Sequence, residues 1–546
     1  MFNLSTVFDT VASAVPDREA LVWRDRRLTY RQLNERVTNL ARYLAARGLG
    51  CRTERSALAG HESGQSHVGL YLRNGNEYLE GMVAAYRARV APFNVNYRYV
   101  EEELLYLLHD ARTEALIYHA SFADQVAGLR DRLPHLKVLI QVADDSDSAL
   151  LPGAIDYEAA IAAGAASDVP LPEVTGDDLY VLYTGGTTGM PKGVLWRQHD
   201  VYIAAMGGRT FGAEKPFGSY AEIAKAAVAA DQVTMLQTAP FMHGAAQWST
   251  FHMISAGSKV VLPADTARLD WPDVLRTVER EKVMTIPVVG DAMARPMADE
   301  IVKGDYDLSG LVAISNGGAP LTPATRSRLL EALPHIMILD VAGASETGIQ
   351  VNQLSAAGSE AETGVFTPEG DTTVIDQGFT RELPPGDEEG WLARTGYIPL
   401  GYLGDEAKTA RTFPVIDGRR YSVPGDRAVR LPDGRIRLLG RESTTINSGG
   451  EKIFAEEVER ALAEHPGVQD VMVVPRPSER WGNEVVAVVA LRDSAAVTDT
   501  ELLDECGRHV ARYKVPKAIV RRPVLQRSPS GKADYRWARQ QADSGD

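Results

Sequence analysis

The segment at residues 183–194, YTGGTTGMPKGV, has the residue types of a loop that holds phosphate. Its glycines can take positive φ, which lets backbone N–H groups approach an anion closely, and its threonines supply hydroxyl donors. These residues are Thr184, Gly185, Gly186, Thr187, Thr188 and Gly189. Lys192 adds a positive charge, but Pro191 precedes it and Gly193 follows it, so the spacing differs from that of a Walker loop. The segment suits a clamp over the β- and γ-phosphates of ATP; the alternative is a Gly/Thr-rich turn with one exposed lysine.

Two carboxylates further along the chain have neighbours that fit the same ligand. In the motif GASETG, Glu346 lies between Ser345 and Thr347, and such a set of oxygens suits Mg²⁺. In the motif YSVPGD, Asp426 can accept hydrogen bonds from both hydroxyls of a ribose. Taken alone, each motif is also consistent with an ordinary turn.

Length and composition exclude several classes of protein. The chain has 546 residues, too many for one ordinary core, so we expect two or more domains. The formal net charge of −15 argues against nucleic acid as a partner, because a nucleic-acid face needs concentrated Lys and Arg. Cys51 and Cys506 form no CxxC motif, which argues against a disulfide framework or a structural zinc site.

The sequence predicts a cytoplasmic protein without an integral membrane segment. The N-terminus lacks a basic region followed by a long apolar run, and no segment reaches the apolar length of a membrane span. The oligomeric state stays open, with a homodimer among the options.

The N-terminal part of the chain alternates helical and strand patterns. Leu33, Val37, Leu40 and Leu44 recur at helical spacing, and Gly48 marks the end of that helix. The other predicted elements are helices at residues 76–89 and 100–113 and strands at residues 67–72, 114–119, 137–142 and 179–184. This alternation predicts a layered α/β domain.

Two segments interrupt this pattern before the predicted domain boundary. Residues 151–178 are rich in Ala, Gly and Pro and are predicted to form a surface connector. Residues 207–231 are predicted to be an inserted flap with a short helix of its own.

A domain boundary is predicted near residues 438–443. It divides the chain into an N-terminal domain, residues 1–439, and a C-terminal domain, residues 440–546. After the boundary the patterns predict a helix at residues 454–468, two strands in DVMVVPR and EVVAVVALR, and a helix at residues 500–513. These elements predict a small α+β domain.

Six segments in order along the chain resemble the adenylate-forming superfamily of acyl-CoA synthetases, peptide-synthetase adenylation domains and luciferases. They are YTGGTTGMPKG, NGGAPL, DVAGASETG, YSVPGDRAV, GRESTTINSGGEKIFAEEVE and SPSGKADYR. The resemblance runs from about residue 25 to residue 536, and a chance match of all six is negligible. The 207–231 insertion and KGVLWRQHD look similar to actinobacterial acyl-CoA synthetases for fatty or steroid side-chain acids. The resemblance implies a large layered α/β domain followed by a small mobile C-terminal domain.

The resemblance also implies which residues contact the nucleotide. The loop at residues 183–194 holds ATP, with Thr187 and Lys192 in catalytic roles, and Glu346 is the ligand of Mg²⁺. Ala342 stands where the family often has an aromatic residue that stacks on adenine. The implied adenine and ribose contacts are Gly317, Gly318, Ala319, Ala342, Asp426 and Arg441.

The C-terminal domain is implied to act in both steps of the reaction. Lys532, in SPSGKADYR, bridges the substrate carboxylate and the α-phosphate, because two anions must meet there. After adenylation the domain turns about a hinge near Ser443. It then presents a second face, where Gly449, Gly450 and Lys452 contact coenzyme A (CoA).

The acyl pocket is placed by resemblance in APFMHGAAQWSTF, residues 239–251. His243, Gly244 and Trp248 line it, and Val288 and Gly290 in PVVGDAMARP form the opposite wall. The small residues predict a roomy channel for a bulky or long apolar acid. A histidine in such a segment is more often a packing or gating residue than a catalyst, and the attacking carboxylate needs no general base.

The leading hypothesis from the sequence is an AMP-forming acid–CoA ligase of fatty acid or steroid metabolism. ATP and a carboxylic acid give acyl-AMP and pyrophosphate, and CoA then gives the thioester and AMP. One alternative is an adenylating ligase that loads a carrier protein in trans. Another is a non-catalytic ATP- or acyl-binding protein, against which the intact set of charged residues argues.

Overall fold

The structure is a computed structural model that describes most of the chain. The described residues are 1–184, 190–209, 215–319, 321–359, 362–441, 444–448, 451–478, 482–492, 497–510, 512–527 and 533–544. For residues 441, 447, 451, 452 and 482 the backbone alone is described.

Helices and strands alternate along the described residues. The helices are α1 (Leu4–Ala14), α2 (Tyr30–Ala46), α3 (Asn76–Arg87), α4 (Glu101–Asp110), α5 (Ala123–Leu129), α6 (Tyr157–Ala165), α7 (Gln198–Ala205), α8 (Tyr220–Ala229), α9 (Gly244–Ser255), α10 (Trp271–Glu281), α11 (Gly290–Lys303), α12 (Pro323–Ala332), α13 (Glu406–Thr412), α14 (Ala455–Ala463), α15 (Asp499–His509) and α16 (Tyr535–Asp543). The strands are β1 (Glu19–Trp23), β2 (Arg26–Thr29), β3 (His67–Tyr71), β4 (Ala91–Asn94), β5 (Ala115–His119), β6 (Val138–Val142), β7 (Ile155–Asp156), β8 (Leu179–Thr184), β9 (Lys192–Arg197), β10 (Thr234–Leu236), β11 (Lys259–Leu262), β12 (Thr285–Val288), β13 (Ala313–Gly317), β14 (Met337–Ala344), β15 (Gly348–Ala356), β16 (Val365–Pro368), β17 (Thr372–Ile375), β18 (Glu389–Thr395), β19 (Gly401–Tyr402), β20 (Val415–Ile416), β21 (Arg419–Ser422), β22 (Asp426–Arg430), β23 (Ile436–Arg441), β24 (Thr445–Ser448), β25 (Glu451–Phe454), β26 (Val468–Ser478), β27 (Gly482–Leu491) and β28 (Ala518–Arg521).

Two large sheets organise the N-terminal part of the chain. The longer sheet has the order β2-β1-β11-β10-β12-β13-β14-β15-β16-β23-β22-β18-β21-β20, with β17 beside β18. The second sheet has the order β19-β9-β8-β4-β3-β5-β6-β7. Its inner strands β3, β4, β5 and β6 pair in parallel and are buried throughout, as expected for a sheet covered on both faces.

The predicted elements of the first half are confirmed with shifts of a few residues at their ends. Helix α2 begins with a capping box, in which the Thr29 hydroxyl accepts from the N–H of Gln32 and the Gln32 side chain accepts from the N–H of Thr29. Its apolar stripe, Leu33, Val37 and Leu40, is buried in the core. Hydrophobic periodicity was therefore a sufficient signal for this helix.

The prediction of a surface connector at residues 151–178 is wrong for its central part, which forms α6. The Asp156 side chain accepts from the N–H of Ala159 and caps the helix. Tyr157, Ala160 and Ile161 are buried at helical spacing against the core. The alanine-rich composition hid an amphipathic pattern with a narrow apolar stripe.

The small C-terminal domain has the predicted helix, two strands and second helix, and more besides. Strands β26, β27 and β28 form one sheet, with β28 parallel to β27, and α16 packs on β26. Strand β28 and helix α16 were not predicted, because their patterns are short and interrupted by charges. Strands β24 and β25 form a separate hairpin.

Candidate active site

The hairpin of β8 and β9 carries the predicted phosphate loop. Thr184 and Lys192 are paired with each other at the end of the β8–β9 ladder that leads into the predicted loop. Residues 185–189, which include Thr187, lie outside the described residues. Asn94 holds β8 next to the predicted loop, because its side-chain carbonyl accepts from the N–H of Tyr183 at 2.8 Å and its amide donates to the carbonyl of Met242 at 2.7 Å. This residue therefore joins the phosphate loop to the predicted acyl segment.

Glu346 lies in the hairpin loop between β14 and β15. Ala344 pairs with Gly348, which leaves Ser345, Glu346 and Thr347 as a three-residue loop. Gly348 has φ of +69°, the left-handed conformation that such a loop needs at its end. The Thr347 hydroxyl accepts from the N–H of Ala344 at 2.9 Å, so this side chain stabilises the loop itself.

A short segment that the sequence reasoning missed joins these two hairpins. The Tyr402 hydroxyl donates to Glu346 Oε1 at 2.7 Å, and Asp405 Oδ2 pairs with Lys192 Nζ at 2.7 Å. The Lys408 ammonium lies 4.3 Å from the centre of the Tyr402 ring. Residues 402–408 therefore contact both the lysine predicted to bind phosphate and the glutamate predicted to bind Mg²⁺.

The electrostatics of this segment follow from its contacts. Burial, and then the Glu346 carboxylate, raise the pKa of Tyr402, so its hydroxyl stays protonated and donates. The hydrogen bond from Lys192 lowers the pKa of Asp405, which is therefore ionised. Desolvation, and then the charge of Lys192, lower the pKa of Lys408. Two cations and two carboxylates thus meet at Lys192, the lysine of the predicted phosphate loop.

The carboxyl ends of the parallel strands β12, β13 and β14 lie side by side. Val288 pairs with Asn316, and Gly317 pairs with Val341. Ligands of α/β sheets bind at this edge of the strands. The structure therefore brings together the predicted acyl wall at Val288 and Gly290, the adenine segment at residues 317–319, and Ala342.

Asn316 joins these segments and was not predicted from the sequence. Its side-chain carbonyl accepts from the N–H of Gly290 at 2.7 Å, and its amide donates to Asp340 at 2.7 Å and to the carbonyl of Ala319 at 3.1 Å. The Asn residue inside the NGGAPL motif was the available signal for this role.

The predicted acyl segment forms the start of helix α9. His243 is the half-buried N-cap residue, Gly244 begins the helix, and Trp248 is buried. A side chain at position 244 would place its Cβ 2.6 Å from Leu182 Cδ2, so a larger residue there would have to displace this buried side chain of β8. The Thr238 hydroxyl donates to the carbonyl of Pro287 and so links this segment to the opposite wall.

Asp426 and Arg441, the predicted ribose contacts, are direct partners in the pairing of β22 with β23. Fifteen positions separate them in the sequence, and the antiparallel register places them opposite each other at one end of the ladder. The side chain of Arg441 is not described.

The residues predicted to act from the C-terminal domain fall largely outside the described residues. Lys532, the hinge position Ser443, Gly449 and Gly450 lie there, and for Lys452 the backbone alone is described, on β25. Their roles stay predictions.

Two family models match the chain. The model described as AMP-binding enzyme matches residues 8–403, and that of the AMP-binding enzyme C-terminal domain matches residues 457–532. The chain belongs to the AMP-binding enzyme family. The predicted boundary at residues 439 and 440 lies between the two matched ranges and stays a prediction.

Several CoA ligases are similar to this chain. The medium-chain acyl-CoA ligase Mig of Mycobacterium avium is 57% identical, with 100% of this chain and 99% of that protein covered. The 3-oxocholest-4-en-26-oate–CoA ligase of Rhodococcus rhodochrous is 40% identical, with 99% and 96% covered. The anthranilate CoA ligase AuaEII, solved with anthranoyl-AMP, has a TM-score of 0.80 at 20% identity, with 99% and 98% covered, and this likeness concerns the fold alone.

These findings confirm the predicted fold class and the predicted type of enzyme. This chain has a large α/β domain and a small C-terminal domain. It is an AMP-forming acid–CoA ligase that uses ATP and CoA. Within the part of the chain that the structure describes, no helix has the length and apolarity needed to cross a membrane.

Proposed function

We propose that this ligase activates apolar carboxylic acids, with medium-chain fatty acids as the preferred class. The observation that carries the proposal is the full-length similarity to a medium-chain acyl-CoA ligase at 57% identity. Steroid side-chain acids are the second candidate, because a 3-oxocholest-4-en-26-oate–CoA ligase is 40% identical over nearly the whole chain.

In the first half-reaction the substrate carboxylate attacks the α-phosphorus of ATP. The new bond joins the carboxylate oxygen to phosphorus, and the bond to the β-phosphate breaks to release pyrophosphate. Lys192 and the loop at residues 184–189 hold the outer phosphates, while Asp426 and Arg441 hold the ribose. Positioning and charge neutralisation supply most of the catalysis in such a transfer.

The Glu346 carboxylate fits the role of a protein ligand of Mg²⁺, with the ATP phosphates as further ligands. No group of three or more His, Cys, Asp or Glu side chains suited to a metal occurs among the described residues. Mg²⁺ is usually bound through one or two carboxylates and substrate phosphates, which agrees with one half-buried carboxylate beside the phosphate loop. The ion, when bound, supplies neutralisation of phosphate charge.

Lys532 completes the first half-reaction, and the C-terminal domain then serves the second. Lys532 neutralises the meeting anions. In the second half-reaction the CoA sulfur attacks the acyl carbonyl carbon, AMP leaves, and the thiol proton passes to solvent. Gly449, Gly450 and Lys452 line the approach of CoA, and His243, Gly244, Trp248, Val288 and Gly290 line the acyl group.

The substrate proposal is tested by mass spectrometry of products. Purified protein is incubated with ATP, Mg²⁺, CoA and fatty acids of short, medium and long chain, aryl acids and 3-oxocholest-4-en-26-oate. We expect the highest kcat/KM for medium-chain acyl-CoA. A preference for the steroid acid would select the second candidate, and acyl-AMP without thioester would select a carrier protein as the acceptor.

Replacement of Lys532 by Ala tests the site. We expect acid-dependent pyrophosphate release to fall by about 10²–10³-fold, the usual cost of removing one group that stabilises transition-state charge. ATP binding, followed by calorimetry, should persist. Lys514→Ala, which removes the ion pair with Glu457 at 2.8 Å, is the matched control in the same domain. Unchanged pyrophosphate release in the Lys532 variant would reject the assignment.

The cytoplasmic location and the homodimer remain predictions. Fractionation of cells tests the location. Light scattering of the purified protein tests the homodimer.

A further inference from the structure

Tyr402 makes a direct contact with the predicted magnesium ligand. Its hydroxyl donates to Glu346 Oε1 at 2.7 Å, and its side chain is buried with 3% exposure. It lies on β19, which pairs with β9 through Tyr402 and Val194. The hydroxyl is therefore held by a strand of one sheet against a loop of the other.

The backbone of the Glu346 loop has supports that do not involve Tyr402. The indole N–H of Trp196 donates to the carbonyl of Ser345 at 2.9 Å, and the Ser422 hydroxyl donates to the carbonyl of Glu346 at 2.5 Å. Arg394 donates to the carbonyls of Thr347 and Ile349, at 2.9 Å and 2.5 Å. Loss of the Tyr402 hydroxyl should therefore free the carboxylate and leave the loop in place.

The same segment also holds the lysine of the phosphate loop. Asp405, three residues after Tyr402, accepts from Lys192 at 2.7 Å, and its other oxygen accepts from the N–H of Lys408 at 2.9 Å. The Lys408 ammonium in turn makes a cation–π contact with the Tyr402 ring. Glu346 and Lys192 are thus connected through one short stretch of chain.

We propose that Tyr402 is a positioning residue that orients the Glu346 carboxylate towards magnesium and the ATP phosphates. Segment 402–408 then sets Glu346 and Lys192 in one geometry before ATP binds. This inference rests on the proposed roles of Glu346 and Lys192. Partners that orient a metal ligand usually contribute 10–100-fold to metal affinity or activity, so an effect of about that size is expected.

The test compares Tyr402→Phe with Tyr157→Phe. Tyr157, on α6, also donates to a glutamate, Glu80 on α3, at 2.8 Å. The side chains of Tyr157 and Glu80 are both buried, and neither belongs to the predicted site. ATP–pyrophosphate exchange is measured against Mg²⁺ concentration. We expect the Mg²⁺ midpoint of Tyr402→Phe to rise by about 10–100-fold and that of Tyr157→Phe to match the wild type.

A second measurement does not depend on turnover. Binding of Mn²⁺ in the presence of α,β-methylene-ATP is followed by electron paramagnetic resonance. We expect weaker Mn²⁺ binding in Tyr402→Phe by the same factor as the Mg²⁺ midpoint. Wild-type Mn²⁺ binding and an unshifted Mg²⁺ midpoint in this variant would overturn the proposal.

A double-mutant cycle covers the case in which Tyr402→Phe weakens the fold. In the Glu346→Gln background, Tyr402→Phe should change exchange by less than about twofold, because its target is already lost. An equal loss in both backgrounds would mean that Tyr402 is merely structural. If no acid supports exchange in the wild type, the proposed function fails, and Mn²⁺ binding still reports on Tyr402.

Discussion

Among the Tyr–Glu pairs of the described residues, two lie in regions with different tasks. Tyr402 donates to Glu346 beside the phosphate loop, and Tyr535 donates to Glu459 at 3.1 Å in the small domain. Both glutamates are partly exposed as residues. The hydrogen bond is therefore the same, and the surroundings differ.

The charges around the two carboxylates have opposite character. The negative charge of Glu346 raises the pKa of the nearby Lys408 ammonium, against the lowering by desolvation and by the charge of Lys192. Glu459 accepts from the N–H of Val473 through its other oxygen, and desolvation, followed by the charge of Glu456, raises its pKa to about 8. A carboxyl group that is protonated near neutrality and has both oxygens engaged is suited to support a fold. A carboxylate is suited to bind a metal ion, and the cations beside it are suited to bind phosphates.

The largest expected difference is in adenylation. Glu346→Gln should lower acid-dependent pyrophosphate release by about 10²–10³-fold, because a preorganised charge is lost. Glu459→Gln keeps the shape of a protonated carboxyl group and an acceptor for the N–H of Val473, while its amide can donate to the Tyr535 hydroxyl, so it should change release by less than about threefold. Steady-state kinetics of both variants at saturating ATP decide the matter, and similar losses would erase the contrast.

The order reverses for stability. Glu459→Ala leaves the buried N–H of Val473 without its acceptor, which costs on the order of 1–3 kcal/mol. Glu346→Gln keeps an acceptor for the buried Tyr402 hydroxyl, and the loop has other supports, so this variant should cost less than about 1 kcal/mol. Hydrogen exchange of peptides that cover β26 and α14 measures the first effect, and unchanged protection there would contradict it.

The pH dependence should follow Glu459. Its folded-state pKa of about 8 lies above its ordinary value of 4.5, so the folded protein holds a proton that the unfolded chain releases. The contribution of this proton to the stability of the small domain is fully present below pH 4.5 and is lost as the pH rises through about 8. Glu459→Gln should flatten this slope in protection measured from pH 5 to pH 9. The charged groups that face Glu459 are Glu456 and Arg527, and the Tyr535 hydroxyl is the titratable group bonded to it.

The smallest effect concerns the link between Lys192 and Asp405. This ion pair is about one-third exposed on both sides, so its net contribution is about 0–1 kcal/mol. Asp405→Asn keeps the cap of α13 but removes the charge that holds Lys192 in place. We expect KM for ATP to rise by up to about fivefold with an unchanged melting temperature. A lower KM would mean that Asp405 competes with the phosphates for Lys192 rather than orienting it.

The sequence predicted the parts of the site that lie within short motifs. Lys192, Glu346 and Asp426 each stand in a turn or hairpin whose glycines and hydroxyl residues are adjacent in the chain. Helix α2 was predictable for the same reason, since its cap and apolar stripe are local. Helix α6 was missed because small residues carry little periodic signal, and its burial depends on the core against which it packs.

Tyr402 marks the limit of prediction from the sequence. It stands 56 positions from Glu346, in a stretch with no motif of its own, and the contact requires β19 to pair with β9. Asn94 and Asn316 are similar, since each bonds to segments distant in the chain.

The amino-acid sequence by itself determined the family, the type of reaction and the residues that are proposed to contact ATP, because these lie in contiguous motifs with fixed spacing. The tertiary structure decided which side chains hold those residues in place. Strand pairing and burial bring distant donors and acceptors within hydrogen-bond distance, and the same burial sets whether a carboxyl group is charged. These effects depend on the packed protein as a whole, so local sequence carries no sign of them.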